Sequence, residues 1–460
     1  MPSVATVVYV LGILALFVLD RDRNSRTSAA LWIPVVWLWI AGSRAVSLWL
    51  QMTPPIDSPD QYLEGSPIDR AILSGLLATA IVVLCLRRRQ VGRLLRANLP
   101  IVLFFLYCAA SALWSDYPDV TFKRCVKGLG DFVMVMIVLT DHDRSTAFKR
   151  VLTRTAFLLI PLSILFIKYY PALGRSYSVW TWTPFYSGVT TNKNTLGMIC
   201  LLFGLASVWR LLDACQNQVG RERARRVIAH TVLIAMVLWL FWMANSMTSL
   251  VCFLLASGLI IATSLRVLVR KPALVHLLVA VVVLVCFSAL FLDAGSGALE
   301  SLGRDPTLTG RTKIWNVVLK LSGNPLLGTG YESFWLGERL HRVWSIDRNI
   351  NQAHNGYLEL FLNLGWIGVT LFAALVVGGY RNVVAAFRRN PGAGRIGLAF
   401  FVVAIVYDFT EAAFRMMSPL WIFFLMAATA TPERAASIKS RRAVPLQAFS
   451  TQVDPHLEQA

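Results

Sequence analysis

The chain has 460 residues, of which 56% are hydrophobic and 15% are charged, and its formal net charge is +19. Because soluble globular domains carry about a quarter charged residues, this composition excludes an ordinary water-soluble protein. The positive charge does not indicate nucleic-acid binding either, since the basic groups at 87–89, 221–226 and 388–389 are separated by apolar segments of membrane-spanning length.

Apolar segments recur along almost the whole chain. Segments of about 17–25 apolar residues are typical of transmembrane helices, and only two of the segments here, 128–139 and 397–407, are clearly short. The sequence therefore predicts an all-α fold, a polytopic transmembrane bundle of about 12–13 helices. The candidate helices are 4–19, 29–50, 71–86, 99–114, 128–139, 151–167, 196–212, 227–244, 250–268, 273–292, 356–379, 397–407 and 417–430.

These segments divide the chain into four regions. We expect N-terminal transmembrane helices in 1–292, a large periplasmic loop in 293–355, C-terminal transmembrane helices in 356–430 and a disordered cytoplasmic tail in 431–460. Segment 4–19 has neither a basic n-region nor an A-x-A-type cleavage site, which predicts a retained helix. The seven cysteines show neither CxxC nor Cys/His ligand spacing, so we expect no disulfide framework and no structural zinc.

The distribution of charge predicts an orientation in the membrane. The gaps between apolar segments are alternately basic and acidic or mixed, and the positive-inside rule assigns the basic gaps to the cytoplasm. The sequence thus predicts a multi-pass protein of the bacterial inner membrane with a cytoplasmic C-terminus and a periplasmic N-terminus.

Two of the predicted periplasmic gaps are unusual. The gap 293–355 is longer than ordinary connections, and within it Ile314, Trp315, Val318 and Leu321 fall on one face of a predicted helix. This amphipathic helix would lie along the membrane surface or cap the bundle. The gap 168–194 is rich in Tyr and Trp, which indicates either an interfacial aromatic belt or flat platforms for sugar rings.

Ionisable side chains at the periplasmic ends of helices are the candidates for chemistry. His354 and Asn355 lead directly into an apolar helix; a neutral imidazole there could take a proton from a sugar hydroxyl, or the pair could simply cap the helix. Arg311, Lys193 and Arg175 are predicted on the same side. Such cations suit either a diphosphate leaving group or lipid headgroups.

Several short motifs, in this order, resemble the O-antigen ligase and polymerase superfamily over residues 180–380. They are Gly310-Arg311, Trp315, the PLLGTG motif at 325–330, Phe334, the HNGYL motif at 354–358 and the LGWIG motif at 364–368. The TNKNTLG segment at 191–197 further resembles the exopolysaccharide-polymerase branch of that superfamily.

The resemblance implies metal-independent, inverting glycosyl transfer from an undecaprenyl-diphosphate-linked oligosaccharide on the periplasmic face, without a cofactor. It implies that Arg311 and His354 are the essential residues and that Lys193 contacts the diphosphate. The remaining candidates for substrate binding are Arg175, Asn355, Asn194 and Tyr357, and we expect no metal ligand and no nucleic acid. Expected partners are the lipid-linked donor, an acceptor glycan or lipid, membrane lipids and, by family analogy, a chain-length-determining copolymerase.

Three alternatives stay open at this point. The acceptor could be another lipid-linked repeat unit, as in a polymerase, which the TNKNTLG segment favours, or lipid A core or another surface molecule, as in a ligase. A transporter is disfavoured because the helix centres carry few charges, with Arg44 and Asp131 as possible exceptions. A peptidoglycan-type polymerase would instead depend on an acidic residue of the long loop, Asp305 or Glu332.

Overall fold

The computed structural model describes residues 2–22, 27–52, 58, 60–177, 183–265, 271–291, 309–346 and 350–431. These residues are mostly helical, with one two-stranded antiparallel sheet, β1 (Arg175–Tyr177) and β2 (Pro184–Tyr186). The first helices are α1 (Pro2–Leu19), α2 (Trp32–Ala41), α3 (Val46–Trp49), α4 (Gln61–Glu64), α5 (Pro67–Leu86), α6 (Arg88–Ala97), α7 (Leu99–Ala110), α8 (Pro118–Leu139), α9 (Arg144–Tyr169) and α10 (Pro171–Gly174). The later helices are α11 (Lys193–Asn217), α12 (Gly220–Ala244), α13 (Met247–Ala262), α14 (Pro272–Phe291), α15 (Thr309–Lys320), α16 (Gly337–Trp344), α17 (Gly356–Arg389), α18 (Pro391–Tyr407) and α19 (Pro419–Ala428).

The predicted apolar segments fall on helices, so the predicted all-α bundle is confirmed. Segment 29–50 differs from the prediction, because residues 42–45 interrupt it between α2 and α3. Six of the described helices are long and apolar enough to cross a membrane, and α6 and α7 form a seventh candidate that bends by 91°. Four other apolar helical segments are shorter, between 10 and 17 residues: 29–41, α13, α18 and α19. The segment 168–194, predicted only as an aromatic loop, contains α10 and the hairpin of β1 and β2. Residues 293–308 and 347–349 of the predicted long loop, and the tail at 432–460, lie outside the described residues.

Helix α11 is the centre of the bundle, because it packs against α9, α12, α13 and α18. Stacked rings tie the C-terminal helices together: Phe400 stacks on Phe423 with centroids 5.0 Å apart, and Phe401 stacks on Phe424 at 5.2 Å. At one end of the bundle α11 and α17 begin and α18 ends, and there the Tyr407 hydroxyl donates to the Asn194 carbonyl at 3.4 Å. We call this the site end.

The long loop forms a small apolar cluster against the start of α17. The predicted face of α15 is confirmed, since Val318 is fully buried and Ile314, Trp315 and Leu321 pack against the same cluster. The Trp315 indole donates to the Ala353 carbonyl at 2.8 Å. Helix α15 therefore caps the bundle, and it fixes the residue that precedes His354.

Helix α17 is broken at Gly365, which has φ +62° and ψ −168°. A broken helix in a membrane leaves backbone groups that must find partners inside the protein. The PLLGTG segment 325–330 supplies them: Trp366 N donates to the Pro325 carbonyl at 2.9 Å, and Gly330 N donates to the Asn363 carbonyl at 2.8 Å. A Cβ at Gly365 would overlap the backbone of Leu326, so only glycine permits this approach.

Candidate active site

A polar cleft lies at the site end, formed by three adjoining cavities that share Asn351 and Gln352. We name each cavity by a lining residue. The His354 cavity has a volume of about 830 Å³, the Glu411 cavity about 350 Å³ and the Glu359 cavity about 180 Å³. The His354 and Glu411 cavities also share Asn192 and Asn194, and the Glu411 and Glu359 cavities share Arg415. The cleft is thus continuous, and its lining combines amides and ionisable groups with apolar and aromatic side chains.

Asn355 is the N-cap of α17, as one of the two interpretations of the His-Asn pair predicted. Its side-chain oxygen accepts from Tyr357 N at 3.0 Å and from Leu358 N at 2.9 Å. These bonds satisfy the free N–H groups of the first helical turn. His354 does not share this role: it has φ +52°, and its ring lines the His354 cavity. A non-glycine residue in the left-handed region is uncommon, and such residues cluster at functional sites.

A carboxylate holds the His354 ring. Nδ1 of His354 lies 3.3 Å from Glu411 Oε2, and the other carboxylate oxygen, Oε1, accepts from the Asn194 side chain at 3.0 Å. The side chain of His354 is 30% exposed and that of Glu411 only 11%, so the imidazole reaches the cavity and the carboxylate lies behind it. Nδ1 also lies 3.4 Å from the Gln352 side-chain nitrogen. With its proton on Nδ1, facing Glu411, the imidazole would keep a lone pair on Nε2, which is the tautomer that a general base requires.

The loop between α18 and α19 reaches His354 because Gly356 allows a close approach. Gly356 N contacts the carbonyls of Asp408 at 2.8 Å and Glu411 at 3.1 Å, and a Cβ at this position would overlap the Asp408 carboxylate. Burial raises the pKa of the Asp408 carboxyl well above its usual range, despite hydrogen bonds from Ala413 N and Phe414 N. Asp408 is therefore a structural partner of the loop, and Glu411 is the carboxyl group next to His354.

The predicted cations are placed differently from one another. Lys193 is exposed at the start of α11 and lines the His354 cavity. Arg175 lies on β1, donates to the Ile167 carbonyl at 2.9 Å and covers the ring of Tyr186, which itself lines the cavity. Arg311 lies in the first turn of α15, and its side chain is outside the described residues. Whether Arg311 and His354 share one site stays a prediction.

The other predicted substrate-binding residues divide into two groups. Asn194 lines both the His354 and the Glu411 cavities and is held by Glu411. Tyr357 is turned inward, where its hydroxyl donates to the Ile405 carbonyl at 2.8 Å and its ring packs on Phe409 and Phe414. With Asn355 and Arg175, it makes contacts within the protein, and its contact with substrate stays a prediction.

Glu411 and Arg415 are site residues that the sequence reasoning missed. Arg415 is exposed and stands between the Glu411 and Glu359 cavities. Both belong to the segment 408–418, which separates two short apolar segments and which strict alternation of the gaps would assign to the side of His354. The alternation of the gaps was therefore the feature of the sequence from which Glu411 and Arg415 could have been predicted as site residues. Glu332, the acidic alternative, lines the Glu359 cavity and accepts from Met416 N at 3.0 Å; Asp305 lies outside the described residues.

Asp131 and Arg44, the two charged residues that a transporter would use, form hydrogen bonds within the protein. Asp131 is fully buried, and its two oxygens accept from the Trp37 indole at 2.8 Å and from Met417 N at 2.9 Å. Arg44 lies after the end of α2 and donates to the Thr190 carbonyl at 3.0 Å. Both residues thus anchor the loops that surround the cleft. Among the described residues, no three His, Cys, Asp or Glu side chains converge as metal ligands.

The fold and the cleft define a multi-pass helical membrane protein with a polar site at one end of the bundle. A sequence profile of the O-antigen ligase family matches residues 231–373, the part of the chain that contains Arg311 and His354. This match and the one that follows confirm the predicted resemblance to the O-antigen ligase and polymerase superfamily and to its exopolysaccharide branch.

Among individual proteins, the chain is similar to the exopolysaccharide production protein ExoQ of Rhizobium meliloti (strain 1021). The two are 25% identical over 288 residues, which are 60% of this chain and 62% of the relative. The alignment therefore covers less than two thirds of either protein.

Proposed function

We propose that the protein is a polysaccharide polymerase, which transfers a growing glycan from undecaprenyl diphosphate to a second lipid-linked repeat unit. The single observation that supports this most is that His354, Asn194 and Lys193 line one cavity, while Glu411 contacts both His354 and Asn194 from the adjoining cavity. A base, an orienting carboxylate and a cation are the groups that metal-independent transfer from a diphosphate needs. The name of the similar ExoQ protein favours exopolysaccharide as the product.

In the proposed reaction, a hydroxyl of the acceptor sugar attacks the anomeric carbon of the donor. Nε2 of His354 takes the hydroxyl proton while Nδ1–H stays directed at Glu411, whose charge stabilises the imidazolium. The new glycosidic bond forms as the bond from the anomeric carbon to the diphosphate oxygen breaks, with inversion because attack is from the opposite face. The diphosphate leaves with its lipid and carries the electron pair of that bond.

Cations compensate the charge that develops on the leaving diphosphate. Lys193 and Arg415 line adjoining parts of the cleft and are exposed to a ligand there. Arg311 has this role by resemblance, at the start of the helix that caps the bundle. In a site that excludes water, fixed positive groups stabilise such a charge far more than they would in solution.

We propose that the cleft faces the periplasm of the bacterial inner membrane. The basic groups at 87–89, 221–226 and 388–389 lie at the end of α5, the start of α12 and the end of α17. The start of α17, by contrast, is at the site end. The positive-inside rule therefore supports a cytoplasmic location for the end opposite the cleft. An association with a chain-length-determining copolymerase stays a prediction.

A ligase is the second candidate, and the family profile that matches 231–373 favours it by its description. In that reaction the donor and the base are the same, and only the acceptor differs: it would be lipid A core or another surface molecule. The chain length and the attachment of the glycan in cells distinguish the two activities.

The test is the size of surface polysaccharide in a deletion strain that carries wild type, His354→Ala, Lys193→Ala or Arg311→Ala. His341→Ala and Lys313→Ala are matched controls, since the His341 side chain is 50% exposed outside the cleft and Lys313 is exposed on α15. Because general-base catalysis contributes about 10²–10⁴-fold, His354→Ala should leave only single repeat units at normal membrane abundance. His341→Ala should restore long polymer.

Normal polymer with His354→Ala would show that the residue only ends a loop, and the proposal would be wrong. Chains of normal length that are no longer attached to an acceptor would instead identify a ligase that uses the same base.

A further inference from the structure

A second charged cavity lies at the end of the bundle opposite the cleft, with a volume of about 870 Å³. It is formed by the end of α1, the start of α9, the end of α11 and the start of α12. Its lining has an excess of three positive charges. The cations are Arg21, Lys149, Arg150, Arg154, Arg210 and Arg226, and the acids are Asp20, Asp22 and Glu222.

The position of this cavity corresponds to a membrane-water interface. The cavity is lined by Arg210 near the end of α11, and the cleft is lined by Lys193 at the start of the same helix. A helix rises about 1.5 Å per residue, so these two positions are about 25 Å apart along α11. The guanidinium of Arg154 covers the ring of Trp32, which is 48% exposed. Exposed Trp beside Arg is typical of the headgroup level. The adjoining helix α1 exposes an apolar face that includes Leu14 and Val18.

Two of the three acids of the cavity, Asp20 and Asp22, already form ion pairs with its cations. Asp20 accepts from Arg210 at 2.7 Å and lies 3.3 Å from Nε2 of His230, and Asp22 lies 3.8 Å from Arg226. Among the described residues, Arg21 and Arg154 form no ion pair. The Arg210 side chain is only 5% exposed, and its Nε has no hydrogen-bond partner among the described residues. The cavity therefore has positive charge and a buried donor that protein groups leave unsatisfied.

We propose that this cavity binds the phosphate of an anionic membrane lipid such as phosphatidylglycerol. Basic pockets between transmembrane helices at the cytoplasmic side are suited to such headgroups. The phosphate would lie among Arg21, Arg154 and Arg226, with the acyl chains beside Phe17 and the exposed apolar face of α1. The inference rests on the proposed orientation of the bundle, but it does not depend on the proposed reaction, because it uses none of the cleft residues.

The test is native mass spectrometry of the full chain in detergent, titrated with phosphatidylglycerol or with zwitterionic phosphatidylcholine. Wild type should retain phosphatidylglycerol and not phosphatidylcholine. One basic residue near the surface changes anionic-lipid affinity about fivefold, so Arg21→Gln with Arg154→Gln should weaken binding about 30-fold. The matched control is Arg89→Gln with Arg223→Gln, which removes two exposed arginines that do not line the cavity.

Equal binding of phosphatidylglycerol by wild type and the double variant would overturn the proposal. So would displacement of the lipid by an equal concentration of glycerol phosphate, because the cavity would then be a site for a soluble anion. Since loss of the Arg154 stack on Trp32 could unfold the protein, Arg21→Gln alone is the second variant. It should weaken lipid binding about fivefold, and unchanged affinity in this variant also contradicts the proposal.

Discussion

At the scale of single residues, His354 and Asn355 have separate roles although they are adjacent. Asn355 caps α17 with two hydrogen bonds, and the left-handed backbone of His354 turns its ring away from the helix towards Glu411. The sequence predicted both a cap and a base for this pair. The structure assigns the cap to Asn355, and the role of His354 as the base is part of the proposed mechanism.

The role of Glu411 in orienting His354 can be tested with Glu411→Gln. Gln has the same size and keeps one oxygen, but it removes the charge that stabilises the imidazolium, and we expect transfer to slow by about 10²-fold or more. The measurement is the rate of polymer elongation in membranes with equal amounts of protein. The matched control is Glu338→Gln, whose side chain is 85% exposed on α16. An unchanged rate in Glu411→Gln would show that the carboxylate only packs beneath the ring.

The site residues that sequence could predict are those at helix starts that follow polar gaps. His354, Lys193 and Asn194 were expected on one side of the membrane, and they do line one cavity. Glu411 could not be assigned in the same way, because its contact with His354 depends on how a loop 57 residues later folds. The inward direction of Tyr357 likewise depends on aromatic packing that no local pattern encodes.

At the scale of elements, the junction between the start of α17 and the loop after α18 determines the geometry of the site. Gly356 is the point of closest approach, and its N–H contacts two carbonyls of that loop. The sequence predicted a helix start here. It could not show that the glycine is required, because the overlap is with Asp408, a residue distant in sequence.

Gly356→Ala should therefore separate His354 from Glu411. We expect a loss of about 1–3 kcal/mol in stability, since overpacking at a close contact costs that much, together with strongly reduced polymer. Gly378→Ala on the same helix is the control, because the nearest atom to its Cβ is Pro100 Cγ at 3.7 Å. This control should be neutral or stabilising by up to about 1 kcal/mol. Thermal unfolding in detergent measures both, and equal melting temperatures would contradict the close-contact argument.

The break in α17 depends on a contact between two motifs that are about 35 residues apart in the sequence. In the sequence, the PLLGTG and LGWIG motifs are separate parts of a resemblance, and nothing there predicts a contact between them. In the structure the first motif satisfies the backbone groups that the second leaves open at Gly365. The backbone hydrogen bonds between the two segments explain why both of them contain glycine, since a side chain would prevent the close approach.

At the scale of the whole molecule, the two ends of the bundle differ in charge and in the cavities they contain. The helical character and the apolar segments were predictable from composition and periodicity, because the lipid environment requires helices with internally satisfied backbones. The lengths were less predictable: six described helices are long enough to span alone, and several others are shorter. Helix length depends on tilt, bends and burial, which local hydropathy does not determine.

The proposed orientation can be tested with single cysteines at exposed positions of the two ends, in a variant whose native cysteines are replaced by serine. Lys193→Cys should react with a membrane-impermeant maleimide after the outer membrane alone is permeabilised. Arg223→Cys should react only after the inner membrane is opened as well, since the positive-inside rule assigns its end to the cytoplasm. The reverse pattern of labelling would invert the topology and rule out a periplasmic cleft.

The charged cluster at the end opposite the cleft should stabilise the fold in a pH-dependent way. Burial alone would raise the pKa of Asp20, but hydrogen bonds and charge from His230 and Arg210 outweigh it and lower the pKa from 3.8 to about 2. A lowered carboxyl pKa contributes stability above about pH 4, which is lost as pH falls towards 2. Asp20→Asn should therefore cost about 2 kcal/mol at neutral pH and flatten this acid dependence.

Thermal unfolding of wild type and Asp20→Asn between pH 2 and pH 7 measures this contribution. Asp116→Asn serves as the comparison, since Asp116 is 56% exposed in its pair with Arg339 and such pairs contribute little. Equal losses in the two variants at neutral pH would show that the buried cluster contributes no more than a surface ion pair.

The central claim is that this chain joins lipid-linked repeat units by metal-independent transfer at His354. The most direct measurement uses the purified protein in liposomes with an undecaprenyl-diphosphate-linked repeat unit and a metal chelator. Wild type and His341→Ala should produce a ladder of lipid-linked oligomers and release one undecaprenyl diphosphate for each bond formed, whereas His354→Ala should produce none. A ladder from His354→Ala at the wild-type rate, or one that appears only after divalent metal is added, would contradict the claim.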